Sequence, residues 1–600
     1  MNKQRQIQAT WIVFILLAVV GGVVFSLILF VPYDYQKGLL DSLAADGVVE
    51  SFNPGVHLFV QICSGPLAIL FWLAFLLTVI FKDETINRIE LIPNSIRKFS
   101  TARRRETINL LNSIRPSKGD AFPLIVLVLI TVLGIFFRYA FLWKPMGHDE
   151  TYTFMAFASR GLRYVITDYH LPNNHVFHTV LVNLAYQLFG DSPAAIRLPA
   201  FLAGIMLIPA TYIVARLFYR TMIALLSASI VASLPILIGY STVARGYTML
   251  ALFTLIIISL AAFNKDHKNM IGWFLFAIFA AFGLYTLPTM VYPFGMVITW
   301  LLISGILNDV SKDYGGHYFH YLIVFSMLVM LAAAILYSPI IVNSGIGSLI
   351  NNDVVETLSW ADFTQSVPVR IKNTWAEWNR EVPGYISLFA IFCLGVSFFY
   401  PKTPQNRRVP LAVAGLIWIG TALVVQRVAP WPRIWLFLLP LFIIWISAGS
   451  IGLLDLIFGR FPRMGYIKQG IIGLLILLPL LTGFVRGYTQ YSQKLGSRGE
   501  PEEIAYFLED YLEPRDVVVV TSPDTIVLKY YLMRNDLSEE FTELRKDKAF
   551  DHALVIVNKA LGQTLNYVLD RRSFSDDVRI ESAEEIYSTK RFSIYKLSER

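Results

Sequence analysis

Two adjacent carboxylates, Asp149 and Glu150 in GHDETY, follow the apolar run 121–142 of a chain whose apolar runs are otherwise nearly free of acids. Soon after them come His170 and then LPNNHVFH, which holds Asn173, Asn174, His175 and His178. Ionisable side chains are costly at membrane depth and so mark function where they occur. A carboxylate at such a position can serve as a general base. Asp149 with His175 and His178, the two histidines three apart and so on one helix face, also offers three ligands for a divalent metal. The alternative use of the histidines is to hydrogen-bond a substrate or to tune the carboxylate. The plainest reading makes the acids a solvated helix cap and Pro172-Asn173-Asn174 a turn.

Four arginines, Arg138, Arg197, Arg245 and Arg433, lie at helix ends on the same side as these carboxylates. Each alone reads as a side chain snorkelling to the headgroups. Together they point to an anionic ligand, because the planar guanidinium can make two parallel hydrogen bonds to a phosphate. Arg138, Arg245 and Arg433 are the candidates for that anion, with Tyr247 and Tyr285 beside them as substrate-binding aromatics alongside His170, Asn174, His175 and His178. Tyrosines at helix ends also form the ordinary aromatic belt.

The elements that must position these groups are membrane spans. The chain has 600 residues, 55% hydrophobic and 16% charged, with mean hydropathy +0.55. That balance is a polytopic α-helical membrane protein. About 13 apolar runs are long enough to span or nearly so: 11–31, 57–81, 121–142, 193–218, 221–241, 245–263, 270–285, 287–307, 319–342, 384–401, 409–427, 433–458 and 469–487. The first of these reads as a retained anchor, being longer than a signal-peptide core. The run 175–189 is short and reads as a helix in the interface. Lys and Arg gather in alternate loops, most densely over 82–119, while 32–56 carries Asp34, Asp41, Asp46 and Glu50. The positive-inside rule then puts the N-terminus in the cytoplasm, and 143–192, 343–383 and everything after about 488 outside, in a plasma (inner) membrane. The net charge of +8 is accounted for by cytoplasmic loops, so no nucleic-acid partner is expected. Cys63 and Cys393 sit in separate runs, which gives neither a disulfide framework nor a cysteine metal site.

Three segments follow: 1–120, two spans and a basic loop; 121–487, the catalytic membrane domain; and 488–600, a small extracytoplasmic α/β domain. In the last, strands are expected at DVVVVTS, ALVIVNK and RFSIYKL, with helices between them. It carries no glycine-rich phosphate fingerprint and is given no catalytic role.

As a block, FFRYAFL, GHDETYTF, LPNNHVFHTVLVNLAYQLFG and DSPAAIRLPAFLAGIMLIPATYIVARLFY resemble the GT-C glycosyltransferase superfamily, in particular its family 39 branch. That branch includes protein O-mannosyltransferases and lipid A aminoarabinose transferases. The likeness is good over about 138–250. Where many relatives carry His-Pro-Pro, this chain has Leu171-Pro172-Asn173-Asn174-His175, and its first two spans precede the family's usual start. The resemblance implies an inverting transfer of sugar from a polyprenyl-phosphate carrier to a glycan, lipid or protein on the outer face. It implies Asp149 as base, Glu150 in support, and arginines among Arg138, Arg245 and Arg433 on the leaving phosphate. No cofactor is implied beyond the divalent metal considered above. The rival readings are a flippase or transporter of lipid-linked sugars, and a polysaccharide polymerase or ligase with a lipid-diphosphate donor.

Overall fold

The computed structural model describes residues 3–43, 49, 52–114, 121–350, 357–399, 410–494, 500–542 and 550–600. Every one of the expected apolar runs is mostly helical in its described part. Among the described residues, however, nine helices are long and apolar enough to cross a membrane, or ten if one bent pair is a single span. The count of 13 is corrected accordingly. Met270–Thr286, Gly384–Ser397 and Leu411–Gln426 are apolar but only 17, 14 and 16 residues long, short of the roughly 20 that a 30 Å hydrocarbon core asks of a straight helix.

The first two spans form a hairpin at the margin of the bundle. Only 11% and 12% of the residues in the apolar windows of Thr10–Phe30 and Pro54–Ile80 are buried, against 89% for Tyr247–Asp266, so the hairpin packs chiefly on itself. Tyr247–Asp266 is instead the central helix, packed against Pro193–Phe218 and Met270–Thr286.

The bent pair is Thr221–Ser233 and Pro235–Ser241, which meet at 60°. Leu234 is extended (φ −66°, ψ 123°), as expected of a residue that precedes proline. The break leaves carbonyls of the first segment without helical partners, which is costly at membrane depth. Arg138 supplies them. Its guanidinium donates to the carbonyls of Ala232 (2.8 Å), Val231 (3.1 Å) and Gly134 (3.1 Å), and Nε donates to Ser241 Oγ (3.2 Å). Gly204 makes room for this junction: a Cβ there would lie 2.1 Å from Ser241 Oγ and 3.2 Å from Arg138 Nε. The expectation that Arg138 grips a phosphate is therefore corrected. It is fully buried, and all three of its nitrogens are committed to mending a broken span.

After the last span, a four-stranded sheet has the order β1-β2-β4-β3, with β1 Val517–Val519, β2 His552–Asn558, β3 Glu584–Ser588 and β4 Phe592–Ser598. β1 and β2 are parallel, so the chain between them must cross over; Asp524–Arg534 is the helix on that path. β2–β4 and β3–β4 are antiparallel. Three strands fall where the sequence puts them. β3 was not anticipated, because EEIYS is an edge strand with little buried surface and no apolar run.

Candidate active site

Asp149 and Glu150 open a helix of six residues, His148–Thr153, whose N-cap is Gly147. The two carboxylates point to different surroundings. The Asp149 side chain is 47% exposed and its Oδ2 lies 3.8 Å from Arg433 Nη1, itself 38% exposed. Glu150 is 1% exposed. One of its oxygens accepts from Gly147 N (2.9 Å) and Arg197 Nη2 (2.5 Å), the other from Arg197 Nε (2.9 Å) and Ala244 N (2.9 Å). Four bonds leave it no capacity for a sugar or a proton. Burial alone would push its carboxyl up, but the Arg197 charge and hydrogen bonds, the Gly147 N–H and Lys144 together hold it below the usual range. Glu150 is therefore corrected from catalytic residue to buried tie.

Arg197 completes that tie by donating to the carbonyls of Leu142 (2.7 Å), Lys144 (2.6 Å) and Pro145 (3.0 Å). One ion pair thus fixes the exit of the third span, the entry of Pro193–Phe218, the six-residue helix and the loop 242–246. Arg197 was legible as an outer arginine but not as the partner of Glu150. The available signal was a guanidinium one turn inside an apolar helix, which needs a buried counter-charge.

The loop 242–246 carries Arg245 and is gripped at both ends. Ala244 N is held by Glu150, and Gly246 N donates to His175 Nδ1 at 2.7 Å. A Cβ on Gly246 would stand 2.7 Å from Thr286 Cγ2 and 3.1 Å from His175, so the close approach requires glycine. Arg245 is buried, yet loosely engaged. Nη1 is 3.2 Å from Thr153 Oγ1 and 3.5 Å from the carbonyls of Asp149 and Asn173, and Nη2 is 3.5 Å from Tyr247 Oη. Its Nε has no partner among the described residues. Such long contacts and an orphan donor leave the guanidinium able to take a stronger acceptor.

The histidines divide. Because His175 Nδ1 accepts from Gly246, its ring proton is on Nε2; burial, then the charge of Arg245, holds its pKa well below the ordinary value. The Tyr247 ring stands edge-on to it at 4.9 Å. His178 is fully buried and neither ring nitrogen has a partner among the described residues. The metal expectation for Asp149, His175 and His178 is corrected: their ligand atoms do not converge, and His175 Nδ1 is already taken. Among the described residues the one convergent group of three is Glu513, Asp516 and His552, in the sheet region.

His170 lies at the rim in a different set. Asp168 Oδ1 accepts from its Nδ1 at 2.7 Å, and its Nε2 is 2.9 Å from Tyr152 Oη. Tyr152 is one helical turn from Asp149, so this chain of side chains borders the carboxylate. Asn174 is buried, and its amide nitrogen donates to the carbonyls of Val165 and Asp168, both at 2.9 Å. It locks the loop and has no free donor for substrate. Tyr285 is buried edge-on to Tyr337 at 5.3 Å, within an apolar cluster that includes Phe157, Val165 and Val176; its ring packs on rings, not on the arginines.

A cavity of about 270 Å³ adjoins this region, lined by Lys144, Tyr240, Glu377, Trp378, Arg380 and Glu381 among others. Burial, then Arg197, pushes the Lys144 ammonium down to about 8, against the pull of Glu150. Tyr240 donates to Glu377 at 3.0 Å and stands edge-on to Tyr247 at 5.6 Å. The structure thus brings Asp149, Arg245, Arg433 and Tyr247 together, with Tyr152, Asp168 and His170 at the rim.

Residues 176–337 match the family described as dolichyl-phosphate-mannose-protein mannosyltransferase. The fold is similar to that of ArnT from Cupriavidus metallidurans bound to undecaprenyl phosphate, with TM-score 0.50 and 13% identity over 79% of this chain and 97% of that one. The apo state of the same protein gives TM-score 0.50 and 12% identity, over 80% and 98%. No curated protein matches the sequence. At these identities the likeness is one of fold, and it bears out the GT-C resemblance at that level: a multi-pass helical membrane protein with a small C-terminal sheet region.

Proposed function

We propose that the chain is an integral-membrane glycosyltransferase that moves a sugar from a polyprenyl-phosphate carrier to an acceptor at the extracytoplasmic face, with inversion. The observation that carries this reading is the half-exposed Asp149 carboxylate, opposite Arg433, on a residue whose backbone carbonyl is met by the loosely held Arg245, in a fold similar to that of a protein bound to undecaprenyl phosphate. The acceptor hydroxyl or amine gives its proton to Asp149 as its oxygen or nitrogen bonds to the anomeric carbon. The bond from that carbon to the phosphate oxygen breaks, and polyprenyl phosphate departs as an anion. Such a leaving group needs no protonation, so one acid/base residue suffices, whereas glycosidases use a carboxyl pair. Arg433 and Arg245 meet the charge that develops on the departing oxygen, in the manner of other preorganised cationic sites.

Arg433 tests the donor half of this reading. Its exposed pair with Asp149 contributes at most about 1 kcal/mol to stability, whereas a charge-assisted bond to phosphate is worth about 1.5–3 kcal/mol. Arg433→Gln is expected to keep the unfolding midpoint and to raise the donor KM about tenfold or more, measured with a synthetic polyprenyl-phosphate sugar. An unchanged donor KM contradicts the assignment of Arg433. Preference for a lipid-diphosphate sugar in the same assay would favour a polymerase or ligase instead.

A further inference from the structure

The sheet region is bound to the very helix that carries Asp149. Helix Asp524–Arg534 packs on His148–Thr153. Tyr531 Oη accepts from Met146 N at 3.0 Å in a fully buried bond, and Tyr531 is 2% exposed. One residue before Asp149, His148 Nδ1 is 2.8 Å from the Pro523 carbonyl; a carbonyl only accepts, so that nitrogen carries the proton. Tyr530, fully buried, sets its ring edge-on to Phe154 at 5.7 Å and donates to the Asp191 carbonyl at 2.7 Å. Met146, Phe154, Ile196 and Ala244 share one apolar cluster with Ile504, Val518, Leu528 and Ile594 of the sheet region, so the two parts have a common core.

A six-residue helix cannot hold itself in place, since helix nucleation is costly and short helices are unstable alone. From the membrane side, Glu150 and Arg197 anchor it. From the other side the anchors are Tyr531 and the Pro523 carbonyl, which hold Met146 and His148, both within the three residues before Asp149. We propose that the C-terminal region is a working part of the active site, with Tyr531 as a positioning residue that sets where the Asp149 carboxylate stands. This inference rests on the reading of Asp149 as the base. Displacing a reacting group by about 1 Å can cost about 100-fold in rate, so a small slackening of these ties should be felt in turnover before it is felt in binding.

The test uses the full-length protein in detergent or nanodiscs, as wild type, Tyr531→Phe, His148→Phe and the double variant. Two readouts are taken: kcat and KM for donor and acceptor, and amide hydrogen exchange over 146–153. The expected result for Tyr531→Phe is a kcat lowered about tenfold or more with both KM values within twofold, and faster exchange confined to 146–153. The double variant should lose less than the product of the two single losses, because both ties act on one helix. Wild-type kcat in Tyr531→Phe overturns the proposal. So does faster exchange spread through the C-terminal region with a lowered unfolding midpoint, which is the mark of a merely structural tyrosine. If the wild type turns over no polyprenyl-phosphate sugar, the functional reading fails on its own. The exchange readout still decides the tie, which a rise confined to 146–153 upholds and unchanged exchange refutes.

Discussion

Asp149→Asn is expected to abolish sugar transfer while leaving the protein folded, inserted and able to bind donor. The side chain is half exposed and its one charged partner among the described residues is Arg433 at 3.8 Å, so the substitution breaks no buried ion pair and changes the shape very little. What it removes is the capacity to accept a proton. General base catalysis typically contributes 10²–10⁴-fold, so turnover should fall by about that factor while the unfolding midpoint and the donor dissociation constant stay near wild type. Purified variant assayed with a lipid-linked sugar and a nucleophilic acceptor reads this directly. Transfer at a rate within a few fold of wild type would remove Asp149 from the mechanism.

The neighbouring substitution should behave in the opposite way. Glu150→Gln is expected to cost stability first, because it leaves Arg197 charged and fully buried without its counter-ion. Breaking a buried ion pair from one side typically costs about 3–5 kcal/mol, a large share of the margin of most proteins. Loss of folded material in detergent and a lowered unfolding midpoint are therefore the expected signs, with the residual folded fraction retaining turnover. The pH dependence follows from the same geometry. Glu150 sits below its ordinary value of 4.5, so its contribution is complete above that value and is lost as pH falls through the lowered one. The wild-type midpoint should drop over that acid range more steeply than that of Glu150→Gln. Equal acid sensitivity in the two proteins would mean that the ion pair does not tie the site together.

These two carboxylates also mark how far the sequence could be read. The apolar runs announced the helices, because a lipid-facing or bundle-facing helix has to be apolar over its whole length. Their number was overstated because an apolar run gives no measure of how many of its residues stay helical. Asp149 and the pair Arg245–Arg433 were visible as charges at helix ends and stand together in the structure. What adjacency could not reveal is that Asp149 and Glu150 turn to different surroundings, one to solvent and the other to a guanidinium 47 residues away. Arg138 misled for a related reason. Phosphate and an unpaired helix carbonyl both call for a guanidinium, and the Pro235 break that exposes those carbonyls lies almost a hundred residues further on. Tyr531 had no signal at all: its partner is a backbone N–H 385 positions earlier, and its own surroundings are those of any core tyrosine.

An enzyme that breaks the bond between sugar and lipid phosphate must release the lipid product, which can be measured. Purified wild-type protein is given polyprenyl-phosphate sugar labelled in both halves, together with an acceptor mixture. Free polyprenyl phosphate should appear in equal amount to sugar on acceptor, with the anomeric configuration inverted, and neither product should form with Asp149→Asn. Labelled sugar crossing a sealed bilayer with its lipid linkage intact, and no free polyprenyl phosphate, would rule out glycosyl transfer and identify a carrier of lipid-linked sugars instead.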